Sequence, residues 1–347
     1  MTKRSSAPSP KGGITLFTIT NSSGASVTLS SLGAGIVAVN VPDRNGTLAD
    51  VALGYADPAD YIADGPCAGK IPGRYANRIA NGHLDIDGKI YTLPVNNGPN
   101  HLHGGPDGFQ NRIWEVESFD DSSVTFGLLS PDGDSGYPGN LTVKAKYTWS
   151  DDNALYLTLQ ATTDAKTVVN LTNHCYWNLG GNNSGSVLDE HLQLFASRYL
   201  PTDSTLIPEG VAVAVAGTPM DFTEPKALGR DIKVPFPALV FGKGYDNCWV
   251  IDNHIPGVLS TAAILSDDRS GRVLEVETDQ PGVQVYTGNW LAGSPANKDS
   301  RSYEDYDGVA IECQNFPDAP NKETFPSPYL EPGEVYVRHI NFKFSVK

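Results

Sequence analysis

Basic residues are scarce in this 347-residue chain: 25 Lys and Arg stand against 40 Asp and Glu, a formal net charge of −15. A nucleic-acid groove needs clustered cations to displace counterions from phosphate, so the balance argues against such a partner. No stretch approaches the roughly 18 consecutive apolar residues of a spanning helix, and no membrane partner is expected. Cysteine is sparse and scattered. Cys67, Cys175, Cys248 and Cys313 fit neither a disulfide-dense scaffold nor a paired CxxC zinc site. Residues 1–13, MTKRSSAPSPKGG, lack the apolar segment of a secretory signal. They read as a flexible tail, and the expected compartment is cytoplasmic.

Convincing amphipathic helices are missing too. What is present is turn chemistry, with 35 glycines and 25 prolines, and enough apolar residue (39%) for a large core. Leu141, Val143, Ala145, Tyr147 and Trp149 alternate with polar neighbours. So do Leu155, Leu157, Leu159 and Ala161, and again Ile340, Phe342, Phe344 and Val346. A period of two with one apolar face is the antiparallel strand pattern. Asp87-Gly88, between Leu84-Asp85-Ile86 and Ile90-Tyr91, signals a hairpin whose turn needs two residues at positive φ. The expected fold is all-β, a large antiparallel twisted sandwich occupying residues 14–347 as a single domain. No composition break divides it.

Several segments combine polar residues, aromatics and glycine in ways that core packing does not require. They are Gly73-Arg-Tyr-Ala-Asn-Arg-Ile-Ala-Asn-Gly82, Asn100-His-Leu-His-Gly-Gly105 and Asn170-Leu-Thr-Asn-His-Cys-Tyr-Trp-Asn-Leu-Gly-Gly181. Three more follow: Tyr245-Asp-Asn247, Gly282-Val-Gln-Val-Tyr-Thr-Gly-Asn-Trp290 and Ile311-Glu-Cys-Gln-Asn-Phe-Pro-Asp318. In this order they resemble the aldose 1-epimerase (galactose mutarotase) family, over essentially the whole chain outside the tail. The resemblance implies a galactose mutarotase-like supersandwich. It also implies interconversion of the α and β anomers of free aldoses such as D-galactose and D-glucose, without cofactor or metal.

That chemistry needs one base and one acid around a single sugar, each contributing roughly 10²–10⁴-fold. The C1 hydroxyl loses its proton while the ring oxygen gains one, the aldehyde turns about C1–C2, and the ring recloses on the other face. By the resemblance, Glu312 is the base, and apolar neighbours should raise its pKa by desolvation. His174 is the acid, and imidazole ordinarily titrates near neutrality. His103 assists at the ring oxygen. Asp246, Asn77, Arg78 and Gln284 bind sugar hydroxyls, and Tyr176, two residues after His174, shares its face if that segment is extended.

Each assignment competes with a plainer reading. Glu312 alone would be a surface-strand carboxylate, His174 a satisfied core histidine, and Asp246 a turn residue. His101 and His103 have the His-x-His spacing of a zinc pair, and an extended strand would put both on one face. The family implies no metal, so His101 is taken as a neighbour of the site. Trp177, Trp290 and Phe316 are expected in the core rather than as platforms. Cys175 and Cys313 should face away from their catalytic neighbours. Residues 103, 174, 246 and 312 can meet only if distant strands gather at one concave face. The other readings are a non-catalytic sugar-binding protein, an epimerase of a phosphorylated sugar, and a two-carboxylate glycosidase. A small aldose is the expected partner, and a monomer the expected state.

Overall fold

The computed structural model describes residues 5–11, 13–62 and 64–347, with side chains from residue 13 onward. Every strand pairing in it is antiparallel, and two large sheets dominate. The wider one, of nine strands, is centred on Leu141–Trp149, Ala154–Thr163 and Tyr336–Val346, the three segments whose alternation is plainest in the sequence. Tyr147 pairs with Leu157, and Leu157 with Ile340, so the apolar faces stack in register. Along Leu141–Trp149 burial alternates residue by residue, and the buried half joins a core containing Trp149, Leu155, Trp177 and Phe342. Burying a side chain of this size is worth about 1.5–3 kcal/mol.

Opposite it lies a six-stranded sheet that includes Tyr176–Trp177, Val309–Gln314, Gly282–Tyr286 and Asp246–Val250, adjacent in that order. A third sheet of five strands closes one flank. The Asp87-Gly88 hairpin forms as expected, with φ of +54° and +82°, between His83–Ile86 and Lys89–Thr92.

One expectation needs correction. The segment read as a flexible tail contains a strand, Ser5–Lys11, paired along its length with Ile14–Thr20 at the edge of the five-stranded sheet. Gly13, at φ +81°, turns the chain back. Pro8 and Pro10 lack a donor for a second neighbour, which an edge position does not require. Residues 1–4 and 12, also assigned to that tail, lie outside the described residues.

Candidate active site

In Val309–Gln314 all six residues are buried, although the strand carries a glutamate and a glutamine. Alternation sends Val309, Ile311 and Cys313 into the main core and turns Glu312 to the other face. Glu312 sits directly across from Gln284, and Tyr286 across from Asp246, so neighbouring strands lay these side chains out in rows. Of these, Glu312, Tyr286 and Asp246 line a cleft of about 1050 Å³ on that face of the six-stranded sheet. His174, His103, Tyr176, Asn77 and Arg78 also line it. The spacing argument is thereby met: residues 103, 174, 246 and 312 face one space.

His174 is held by its backbone, whose N–H donates to Lys70 O and whose carbonyl accepts from Gly69, each at 2.9 Å. Its Nε2 lies 3.5 Å from Glu312 Oε1. The ring is enclosed by His103, Tyr176 and Tyr286, with centroids at 5.3, 5.0 and 6.3 Å. His103 sits at φ +54°, just past the short strand His101–Leu102. Its Nδ1 accepts from Asn77 N–H at 3.0 Å, while its own N–H donates to Asn77 O at 3.1 Å. An accepting Nδ1 places the ring proton on Nε2, so a neutral His103 offers the cleft a donor.

The residues expected to bind the sugar are equally tied. Asn77 Oδ1 accepts from Arg78 N–H at 2.8 Å, and Arg78 Nε donates to Asn97 at 3.0 Å. Arg78 also faces Asp246 Oδ2 at 3.5 Å, and Asp246 Oδ1 accepts from Gln284 Nε2 at 2.6 Å. Tyr176 donates its hydroxyl to Pro66 O. Asparagines of the quoted segments stitch them together. Asn170 accepts from Asn315 N–H and donates to Ala76 O, joining three stretches of chain that carry site residues.

The electrostatics follow from burial. Glu312, 2% exposed, has its pKa pushed well above the usual carboxylate value, first by desolvation and then by Asp246, with Arg78 opposing. His174 is lowered to about 4, again mainly by burial, with Lys70 adding to it. This corrects the expectation of a histidine poised near neutrality: a buried imidazolium has lost its water. His103 is driven well down by burial and then by His174. Among the described residues Glu312 Oε2, Gln284 Oε1 and His174 Nδ1 have no hydrogen-bond partner. Buried polar atoms without partners are costly unless a ligand satisfies them. One donor atom from each of His103, His174 and Glu312 falls within 4.8 Å of the others, so this triad is also the chemically competent place for a divalent metal.

The remaining sequence expectations separate cleanly. Cys175 and Cys313 are free, buried and in the core, away from the cleft. Trp177 is in the core, and Phe316 packs with Leu200 and Cys248. Trp290 is not in the core: it is 66% exposed at the mouth of the cleft. His101 does not share a face with His103, because the turn at His103 ends the strand. Its ring instead bridges Pro94 O and the Tyr137 hydroxyl at 2.6 and 2.7 Å. Sequence reasoning missed Tyr286, although it stands two after Gln284 on one strand and therefore on the same face.

The aldose 1-epimerase family profile matches residues 15–343. This chain belongs to the aldose 1-epimerase family. It is 40% identical to the galactose mutarotase of Rattus norvegicus, across 98% of this chain and 96% of that protein. It is 38% identical to the aldose 1-epimerase of Escherichia coli, across 95% and 94%. A solved aldose epimerase homologue from C. elegans superposes with a TM-score of 0.88 at 33% identity, covering 99% of each chain. Epimerase relatives thus share the fold from end to end.

Proposed function

We propose that the protein is an aldose 1-epimerase acting on free aldohexoses such as D-galactose and D-glucose, with Glu312 and His174 as the acid–base pair. The observation that carries this reading is the buried approach of His174 to Glu312 at 3.5 Å, with unpartnered polar atoms facing the cleft. In the forward step Glu312 takes the C1 hydroxyl proton and His174 gives one to the ring oxygen. The C1–ring oxygen bond breaks, and C1 becomes the aldehyde. Reclosure on the other face returns both protons, so nothing is consumed.

The perturbed environment suits a pair that changes charge together. The reacting form of the pair is carboxylate and imidazolium, the minor arrangement of the one proton they share, since burial holds both groups neutral at rest; after ring opening both are neutral again. Burial favours the neutral form and so lowers the free energy of the open-chain state, while Arg78 supports the carboxylate. The proton-carrying Nε2 of His103 supports the ring oxygen, and Asp246, Arg78, Asn77 and Gln284 bind the hydroxyls. Tyr176 walls the site beside His174.

Polarimetry on freshly dissolved α-D-galactose and α-D-glucose at pH 7, with chelator, tests this. The protein should hasten approach to an unchanged final rotation. Glu312→Gln and His174→Asn should each lose roughly 10²–10⁴-fold in kcat, and the double variant little more, because the two act as a unit. Chelator-sensitive activity would replace the metal-free mechanism. Binding of sugar without acceleration would make the protein a sugar-binding relative.

A further inference from the structure

The ammonium of Lys70 has no part in the mechanism, yet it is buried close to the acid. Its side chain is 1% exposed and is paired with the wholly buried Asp64. The ammonium also donates to Tyr61 O at 2.6 Å, and Asp64 Oδ2 accepts from the Tyr55 hydroxyl at 3.0 Å and Ala68 N–H at 2.9 Å. The lysine stem runs against Gly33 and Gly35, where a Cβ would meet its methylenes at 2.8 and 3.3 Å. Burying an ion pair is a poor route to stability. Desolvation of both charges offsets their attraction, and apolar side chains of similar volume commonly hold a fold as well.

What sets this pair apart is that it joins two supports of His174. The first is backbone: Lys70 O accepts from His174 N–H, and the adjacent Gly69 N–H donates to His174 O, each at 2.9 Å. The second runs through the chain just before Lys70. Lys70 N–H donates to Cys67 O at 3.2 Å and Cys67 N–H to Asp64 O at 3.3 Å, while the ammonium clasps Tyr61 O and the Asp64 carboxylate. Residues 64–67, held in this way, form part of the cleft wall, and Pro66 O accepts the Tyr176 hydroxyl at 2.9 Å. The Tyr176 ring packs beside His174 with centroids 5.0 Å apart. The contacts close a circuit from Lys70 through Asp64 and Pro66 to Tyr176, on to His174 and back to Lys70.

We propose that Lys70, through its ion pair with Asp64, is a positioning residue for His174, fixing the imidazole that protonates the sugar ring oxygen. This rests on the epimerase reading. A group that must reach one ring oxygen tolerates little displacement, and about 1 Å can cost on the order of 10²-fold in rate. Lys70 is not among the residues that line the cleft, so it acts through the histidine and not on the sugar. The residues that bind the hydroxyls are anchored elsewhere: Arg78 on Asn97 and Asp246, and Gln284 on Asp246. Loosening the clasp therefore slows the chemical step and leaves sugar binding in place.

Lys70→Met alone would strand a buried carboxylate and endanger the fold. The test therefore uses Lys70→Met/Asp64→Asn, which removes both charges and keeps an acceptor for the Tyr55 hydroxyl. Circular dichroism and a urea midpoint check that it folds. Polarimetry on α-D-galactose should show kcat lowered by about tenfold to a hundredfold, with KM within about twofold of the parent. In the His174→Asn background the same two substitutions should change kcat by less than about twofold, because a residue acting through His174 has nothing left to position. A structural role would lower kcat in both backgrounds alike. That equal fall, an unchanged kcat in the folded double variant, or a double variant that does not fold would overturn the positioning role alone. A parent protein inactive on every sugar would overturn the epimerase reading and this role with it.

Discussion

Glu190 gives a sharp test of the electrostatics. It is fully buried, and its Oε1 accepts from Leu179 N–H at 2.7 Å and Gly180 N–H at 3.4 Å, at the end of the segment that carries His174. Oε2 has no partner. Desolvation pushes its pKa up to about 8 from the ordinary 4.5, against the pull of the Leu179 N–H. The folded protein therefore holds a proton that the unfolded chain releases above pH 4.5. Stability is fully present below that pH and is lost as pH rises toward 8. At pH 7 the group titrates across about 2.5 units, worth roughly 3 kcal/mol at about 1.4 kcal/mol per unit. Glu190→Gln keeps the Oε1 acceptor and removes the titration. Urea unfolding of both proteins between pH 4 and 8 should show the variant gaining about 3 kcal/mol on the parent between pH 4 and pH 7. Any cost of the new amide donors is independent of pH and cancels from that slope. A difference between the two proteins that stays flat with pH would refute the reasoning.

Two further substitutions follow from the same geometry. Asp246→Asn should raise KM. It should also move the alkaline limb of the kcat/KM profile to lower pH, since Asp246 helps hold the Glu312 pKa up; a pH-rate series reads both. Gly104→Ala should abolish mutarotation or prevent folding, because at φ +79° its Cβ would meet Gly73 O at 1.7 Å beside His103; polarimetry with circular dichroism separates the two outcomes.

The sheets were legible where one face meets water. Leu141–Trp149 writes its burial in alternating letters, and so do residues 342–345 of Tyr336–Val346. Val309–Gln314 could not be read that way. Both of its faces are buried, one by core and one by the cleft, so Glu312 looks like an error in an apolar strand until the cleft is seen. Its role came from the surrounding motif. The short strands Tyr176–Trp177 and His101–Leu102 carry too few residues for any period, and the turn at His103 depends on contacts with Asn77 that lie 26 positions away. Trp290 went astray because tryptophan in general is buried, while this one is held outside by Lys243. The strand at Ser5–Lys11 was hidden by its prolines, which suit an edge and nothing else.

The distances along the chain between the four central residues bear on how activity is acquired. His103, His174, Asp246 and Glu312 each arrive from a separate stretch, and contacts between those stretches are long-range too: Asn170 bonds residue 315, and Lys70 O accepts from His174 N–H. Pairings that close such long loops form slowly and late. No fragment of the chain can therefore assemble a working site. During refolding, mutarotation should return only with the last long-range pairings, which makes the rate of sugar turnover a reporter of complete folding that far-ultraviolet spectroscopy, satisfied by local strands, would anticipate.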